Sequence, residues 1–158
     1  AVGGSIVTID GYVVFGKMSK HTSFPYVIQC IGGGLSEEDI FDGDPVHTFL
    51  RECREEIGLT SEDIVSIDNK KYFYIRDHQS TVGICYIAKI GLTKETLLQR
   101  FKEAATDGEI ESLVFVNETD ESMSDLLKQP SLVDYARVIF EKKLLDQSFD
   151  DIREYEFE

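Results

Sequence analysis

The stretch from Asp44 to Gly58 constrains the fold more than any other, because both of its ends carry helix-boundary signals that agree with its apolar pattern. Asp44 is suited to accept the first free backbone amides, and Pro45, which has no amide hydrogen to lose, suits the first helical position. Gly58 supplies the left-handed residue that closes many helices. A helix over about residues 45–57 follows. At about 100° per residue it lines up Val46, Phe49, Leu50, Cys53 and Ile57 as a core-facing stripe. The same geometry collects Glu52, Glu55 and Glu56 on a separate arc, with Arg51 at its margin and Arg54 pointing away.

Strands are expected on either side. Residues 5–9 and 12–15 flank Asp10-Gly11, which predicts a hairpin with a two-residue turn, both turn positions at positive φ. Residues 25–31 read as a strand ending at Gly32-Gly33-Gly34, where backbone can approach a neighbour or ligand closely, and an acidic loop covers 36–43. Beyond the helix, 64–67, 71–75 and 81–90 read as strands from their β-branched and aromatic content. Thr93 caps a helix to about 105, 112–116 is a strand, and 122–128 a short helix. Ser131 caps a last helix, with Leu132, Tyr135, Ala136, Ile139 and Lys143 at helical spacing. This order predicts an α/β fold, α+β by a stricter definition, with helices covering both faces of a mixed sheet.

At 158 residues and 42% apolar content the chain is sized for one core, read as a domain over 1–146 followed by an acidic tail over 147–158. No apolar run approaches the roughly 20 residues of a membrane-spanning helix, and no secretory leader is visible, so a soluble protein without a membrane partner is expected. Cys30, Cys53 and Cys85 lack paired spacing and read as reduced core residues, which favours the cytoplasm. The 16 basic and 30 acidic residues give a net charge of −14, which disfavours nucleic acid. An anionic substrate would need a divalent cation, or a few well-placed basic groups, to offset the repulsion.

Carboxylates clustered without cysteine or histidine suit magnesium or manganese, and magnesium commonly shares its shell with phosphates. A solvated acidic helix would look the same, since like-charge pairs cost only about 0.2–0.5 kcal/mol each. The residues Arg51-Glu52-Cys53-Arg54-Glu55-Glu56-Ile57-Gly58-Leu59 resemble the second half of the Nudix box, R-E-U-x-E-E-x-G-U with U aliphatic, at every specified position when Cys53 counts as apolar. The first half departs from the pattern G-x5-E-x7-R: Gly43 stands at the glutamate position, Glu37 at the glycine position, and the loop after Gly34 is three residues longer. Arg51 thereby loses its expected partner, for which Asp42, Glu38 or Asp39 could substitute.

The resemblance to this MutT-like family implies an α/β/α sandwich and a metal-dependent hydrolase. The bond cleaved would be a pyrophosphate in a nucleoside diphosphate linked to another moiety. It implies Mg2+ or Mn2+ on Glu55 and Glu56, with Glu52 a further ligand or the base that activates water, and a backbone carbonyl near Gly33 or Gly34 completing the shell. Glu109, six residues before Phe115, is the other candidate base or an ordinary loop carboxylate. Lys17, with Lys20, could contact phosphate or serve solubility. Tyr74 and Arg76, beside Tyr72 and Phe73, could hold a base, with Phe24 and Tyr26 as another wall, or these residues fill core and sheet surface. The rival reading is a catalytically impaired nucleotide-binding module on the same fold; a homodimer is compatible with either.

Overall fold

A hairpin of β1 (Val2–Val7) and β2 (Tyr12–Met18) opens the chain, of which a computed structural model describes residues 2–34, 45–76, 81–117, 120–132, 137 and 153–156. Its turn is wider than expected. The Gly11 amide donates to Thr8 O at 3.0 Å, the Tyr12 amide to Thr8 Oγ1 at 2.9 Å, and of the turn residues only Gly11 takes positive φ (+87°). Asp10 stays out of the left-handed region and accepts from the Lys94 amide at 3.0 Å. A three-residue loop closed by one left-handed glycine is the next commonest hairpin form after the two-residue turn.

The strand expected over 25–31 is divided. β3 (Ile28–Gln29) pairs antiparallel with β2, and after Cys30 the chain crosses over so that β4 (Ile31–Gly33) pairs antiparallel with β1. One segment thus fills the gap where the two hairpin strands splay. β5 (Ile64–Arg76) and β6 (Thr81–Ile90) are an antiparallel pair; the two short strands expected over 64–75 are one strand with register shifts at 64–66 and 68–71. β6 runs parallel to β1, and β7 (Ile110–Asn117) lines the other edge of β2. The resulting mixed sheet has the order β3-β2-β1-β6-β5-β8, where β8 (Arg153–Glu156) pairs in parallel with β5. Residues 153–156 therefore belong to the sheet, which corrects the expected tail to that extent: the free amides and carbonyls at the edge of β5 give the segment a partner.

α1 (Val46–Ile57) and α2 (Lys94–Glu103) cover one face, and α3 (Asp120–Leu127) covers the other. Strand alternation makes two cores, one of Val14, Ile31, Phe49, Ile57 and Leu97, the other of Val13, Phe15, Ile28, Val116 and Leu126. α1 ends as expected: Gly58 has φ +75°, and the amides of Gly58 and Leu59 donate to Arg54 O and Cys53 O, each at 3.1 Å. Pro45 stands one position before the first helical residue, at the cap. Asp44, the 36–43 loop and the helix expected beyond Leu132, apart from Arg137, lie outside the described residues. Thr93 caps α2, its Oγ1 accepting from the Thr96 amide at 3.2 Å. Cys30, Cys53 and Cys85 are buried thiols outside any disulfide, and among the described residues no helix is long and apolar enough to cross a membrane.

Gly4 decides how closely α1 approaches the sheet. A Cβ there would stand 2.6 Å from the Phe49 ring and 2.8 Å from Tyr86 O, a spacing no larger residue tolerates without displacement. Phe49 is fully buried and stacks on Tyr86 with centroids 5.6 Å apart and planes at 13°. The buried face of α1 is turned relative to the expected stripe. Phe49, Cys53 and Ile57 are buried as expected, but Val46 and Leu50 are only half-buried, and Thr48, Glu52 and Glu56 go inward instead.

Candidate active site

Thr48, Glu52 and Glu56 follow one another at intervals of one turn on α1, which packs against β4. The glycines of β4 make that inward turn feasible. A Cβ on Gly33 would stand 2.5 Å from Glu52 Oε1, so the carboxylate occupies the space a side chain would fill. Glu56 is 1% exposed, and its Oε2 has no hydrogen-bond partner. Burial, then the charges of Glu52 and Asp107, push the Glu56 carboxyl up to about 9, with a backbone hydrogen bond from Gly32 pulling the other way. Burial raises Glu52 as well, against the opposing charge of Arg51. A buried carboxylate of this kind is costly until a proton or a cation joins it.

Arg51 lies over the outer rim, its Nη2 3.4 Å from Glu52 Oε1 and its Nη1 3.2 Å from Glu55 Oε2. Two glutamates of the box itself therefore partner this arginine; Glu38, Asp39 and Asp42 lie outside the described residues. Glu55 is the accessible member of the trio, with its side chain 40% exposed. Among the described residues, no three acidic, histidine or cysteine side chains already surround one point closely enough to hold a cation. The donor chemistry nevertheless fits a hard divalent ion: the donors are all carboxylate oxygen, one of them buried and unpartnered, beside glycine backbone.

A second loop closes on this helix from far along the chain. The Asp107 amide donates to Glu55 O at 2.9 Å, Asp107 Oδ1 accepts from the Glu109 amide at 3.0 Å, and Glu109 O accepts from the Ser19 amide at 2.8 Å. The charges of both Asp107 and Glu109 raise Glu52 and Glu56. Glu109 is thus brought to the box helix, and with it Asp107, whose only sequence signal was the Asp107-Gly108 turn, with Gly108 at φ +80°. Lys17 is not brought there. Alternation along β2 puts it with Val13 and Phe15 on the face of α3, where its Nζ lies 3.6 Å from Glu111 Oε1 and 5.6 Å from the Tyr26 ring centroid. Lys20 is exposed, and Gly34 faces open space. Tyr74 pairs with Val82 in the β5–β6 ladder and Arg76 with Glu156 of β8, but their side chains, like those of Tyr72 and Phe73, lie outside the described residues.

Gly33 provides a test of this packing. Its φ is ordinary, so Gly33→Ala should leave thermal stability within about 1 kcal/mol, equivalent to roughly 2–4 °C in a chain of this size. The methyl group must displace Glu52, and loss of a supporting contact at a metal site typically lowers affinity or activity about 10–100-fold. A Gly33→Ala protein with unchanged metal affinity and turnover would show that Glu52 does not work from this position.

The architecture is that of the Nudix fold, as its likeness to solved structures shows. Over 92% of this chain and 94% of the other, it superimposes on the MutT protein of Methanosarcina mazei (TM-score 0.59, 17% identity). An Ap4A hydrolase from C. elegans matches over 91% of this chain and 95% of its own (TM-score 0.61, 15% identity). The Nudix domain of Shewanella oneidensis NrtR, solved with ADP ribose, matches over 92% and 86% (TM-score 0.60, 17% identity). No family model matches the sequence, and no curated protein matches it.

Proposed function

We propose that the chain is a metal-dependent pyrophosphohydrolase that cleaves a nucleoside diphosphate linked to another moiety. The observation that carries this reading is the buried, unpartnered carboxylate of Glu56 beside Glu52, on a helix whose sequence meets the Nudix box at each specified position of its second half. The neighbours support it at a coarser level: one is an Ap4A hydrolase and another holds ADP ribose, two compounds that both contain a pyrophosphate linkage.

Glu52, Glu55 and Glu56 would hold Mg2+ or Mn2+, which when bound offsets phosphate charge and lowers the pKa of water toward neutrality. Glycine backbone at 32–33 keeps Glu52 and Glu56 in their inward positions. Arg51, placed between Glu52 and Glu55, offsets part of their charge. Of the two candidate bases, Glu52 is buried and engaged by Arg51, whereas Glu109 is exposed at the edge of the site, which favours Glu109 for taking the proton of the attacking water. Three buried cysteines outside any disulfide suit a reducing compartment such as the cytoplasm.

The test is a screen of the purified protein with Mg2+ or Mn2+ against nucleoside diphosphate sugars, dinucleoside polyphosphates and nucleoside triphosphates, with products identified by mass. Release of a nucleoside monophosphate is expected, and Glu55→Gln should slow it by at least about 100-fold, beyond the usual cost of losing an outer partner of a metal site. Nucleotide binding without turnover would favour the binding-module reading instead. Neither binding nor turnover would reject both.

A further inference from the structure

The geometry points to Thr48 as a positioning residue for the acidic helix, its hydroxyl kept as the donor that holds the Glu52 carboxylate once Arg51 lets go. The inference rests on the reading that Glu52, Glu55 and Glu56 bind a divalent cation. It adds a residue that the Nudix pattern leaves unspecified, since Thr48 falls within the x7 interval before Arg51.

Thr48 is 0% exposed, and its Oγ1 has no hydrogen-bond partner among the described residues. A helical threonine ordinarily returns its hydroxyl to a carbonyl one turn back. Here Pro45 O, three residues back, already accepts the amides of Thr48 at 3.1 Å and Phe49 at 3.4 Å, which takes up both of its lone pairs. A valine would fill the same space without burying a hydroxyl, so packing gives no reason for threonine. An unpaired buried donor costs stability, a cost that is offset when another state of the protein uses the donor.

The acceptor in reach is Glu52. It follows Thr48 by four residues on the inward line of α1, and because helical Cα–Cβ bonds tilt toward the N-terminus, its side chain leans back over the turn that carries Thr48. Its carboxylate lies against Gly33, where a Cβ would stand 2.5 Å from Oε1 and 3.2 Å from Oε2, so glycine leaves it room to turn. On the outer side Oε1 meets Arg51 Nη2 at 3.4 Å, a long contact that the guanidinium divides with Glu55. A cation on Glu52 and Glu55 competes with that guanidinium for the same oxygens. With one Glu52 oxygen turned to the ion and Arg51 displaced, the other oxygen needs a donor already inside the fold, and Thr48 supplies it. Carboxylates that ligate metals are themselves hydrogen-bonded, and this outer bond fixes their orientation. Glu56 has its counterpart in the backbone hydrogen bond from Gly32.

The experiment compares wild type, Thr48→Val and Thr48→Ser as full chains, by thermal melting in chelator and by calorimetric titration with Mn2+ alone. In chelator, Thr48→Val should melt at or above the wild type, because a methyl group of the same shape replaces an unpaired hydroxyl. Its Mn2+ affinity should be about 10–100-fold lower, the usual effect of removing an outer partner of a metal site, and Thr48→Ser, which keeps the hydroxyl, should recover most of that loss. A hydroxyl that merely packs would leave Mn2+ affinity unchanged in all three proteins. Wild-type affinity in Thr48→Val, or a wild type that binds no Mn2+, would overturn the inference. So would a Thr48→Val protein that melts below the wild type in chelator, since its hydroxyl would then be bonded already in the metal-free fold. None of these readouts uses turnover, so the two readings fail separately. Thr48-dependent Mn2+ binding by a protein that releases no nucleoside monophosphate would remove the hydrolase and keep the positioning role. Product release with the same Mn2+ requirement in wild type and Thr48→Val would remove the positioning role alone.

Discussion

Glu56→Gln should raise the melting temperature of the metal-free protein at pH 8 and flatten its dependence on pH. The Glu56 carboxyl titrates at about 9 in the fold against an ordinary 4.5, because burial and the neighbouring carboxylates penalise its charge. Between those values the folded chain retains a proton that the unfolded chain releases. Its contribution to stability is therefore fully present below pH 4.5 and is lost as pH rises toward 9. At ~1.4 kcal/mol per pH unit, the wild type should lose on the order of a few kcal/mol between pH 5 and pH 8. The amide cannot titrate, so the variant keeps what the wild type loses.

Magnesium acts in the opposite sense, since it joins the ionised carboxyl. Its addition should raise the wild-type melting temperature most at pH 8 and leave Glu56→Gln unmoved. Thermal scans at pH 5, 6.5 and 8, with chelator and then with magnesium, check both halves. The variant also serves as the control for general self-repulsion in a chain of net charge −14, which it shares with the wild type except at this one position. Parallel wild-type and variant profiles in chelator would show that Glu56 is already ionised in the metal-free fold.

Phe49→Ala should cost about 3–5 kcal/mol, the usual range for removing a large buried ring, out of a total stability of roughly 5–15 kcal/mol. The ring is fully buried, stacks on Tyr86, and sits over Gly4 at the junction of α1 with β1 and β6. No neighbour can fill the void without moving a strand. Urea unfolding should show a lower midpoint with an unchanged slope, while Phe49→Leu, which retains much of the volume, should lose far less. The site should suffer too, because Glu52 and Glu56 follow Phe49 on the same helix. A loss below about 1 kcal/mol would mean that α1 is anchored elsewhere.

Much of this was legible from local chemistry. Gly58 marked the helix end through its left-handed φ, Thr93 marked the start of α2, and the charge spacing of Glu52, Glu55 and Glu56 marked the segment that carries the proposed chemistry. The misreadings share one cause, competition from a partner distant in sequence. Asp10 was expected to take a left-handed turn position, but its carboxylate is held by the Lys94 amide. The 25–31 strand divides at Cys30 because two diverging strands each offer it a ladder edge. Lys17, open in the sequence between phosphate contact and solubility, is carried by strand alternation to the far face of the sheet, with Glu111 and Tyr26.

By itself the order of residues determined most of the elements, the mixed sheet with helices on both faces, and the spacing of the acidic trio, since caps, turns and periodicity act within a few neighbouring residues. Which side of α1 turned inward was decided only in three dimensions. Gly4 and Gly33 leave room where Phe49 and the Glu52 carboxylate enter, so the helix rotates two glutamates toward the sheet instead of toward water. Asp107 and Glu109 join them through backbone hydrogen bonds to Glu55 and Ser19, contacts between parts of the chain that no local pattern relates.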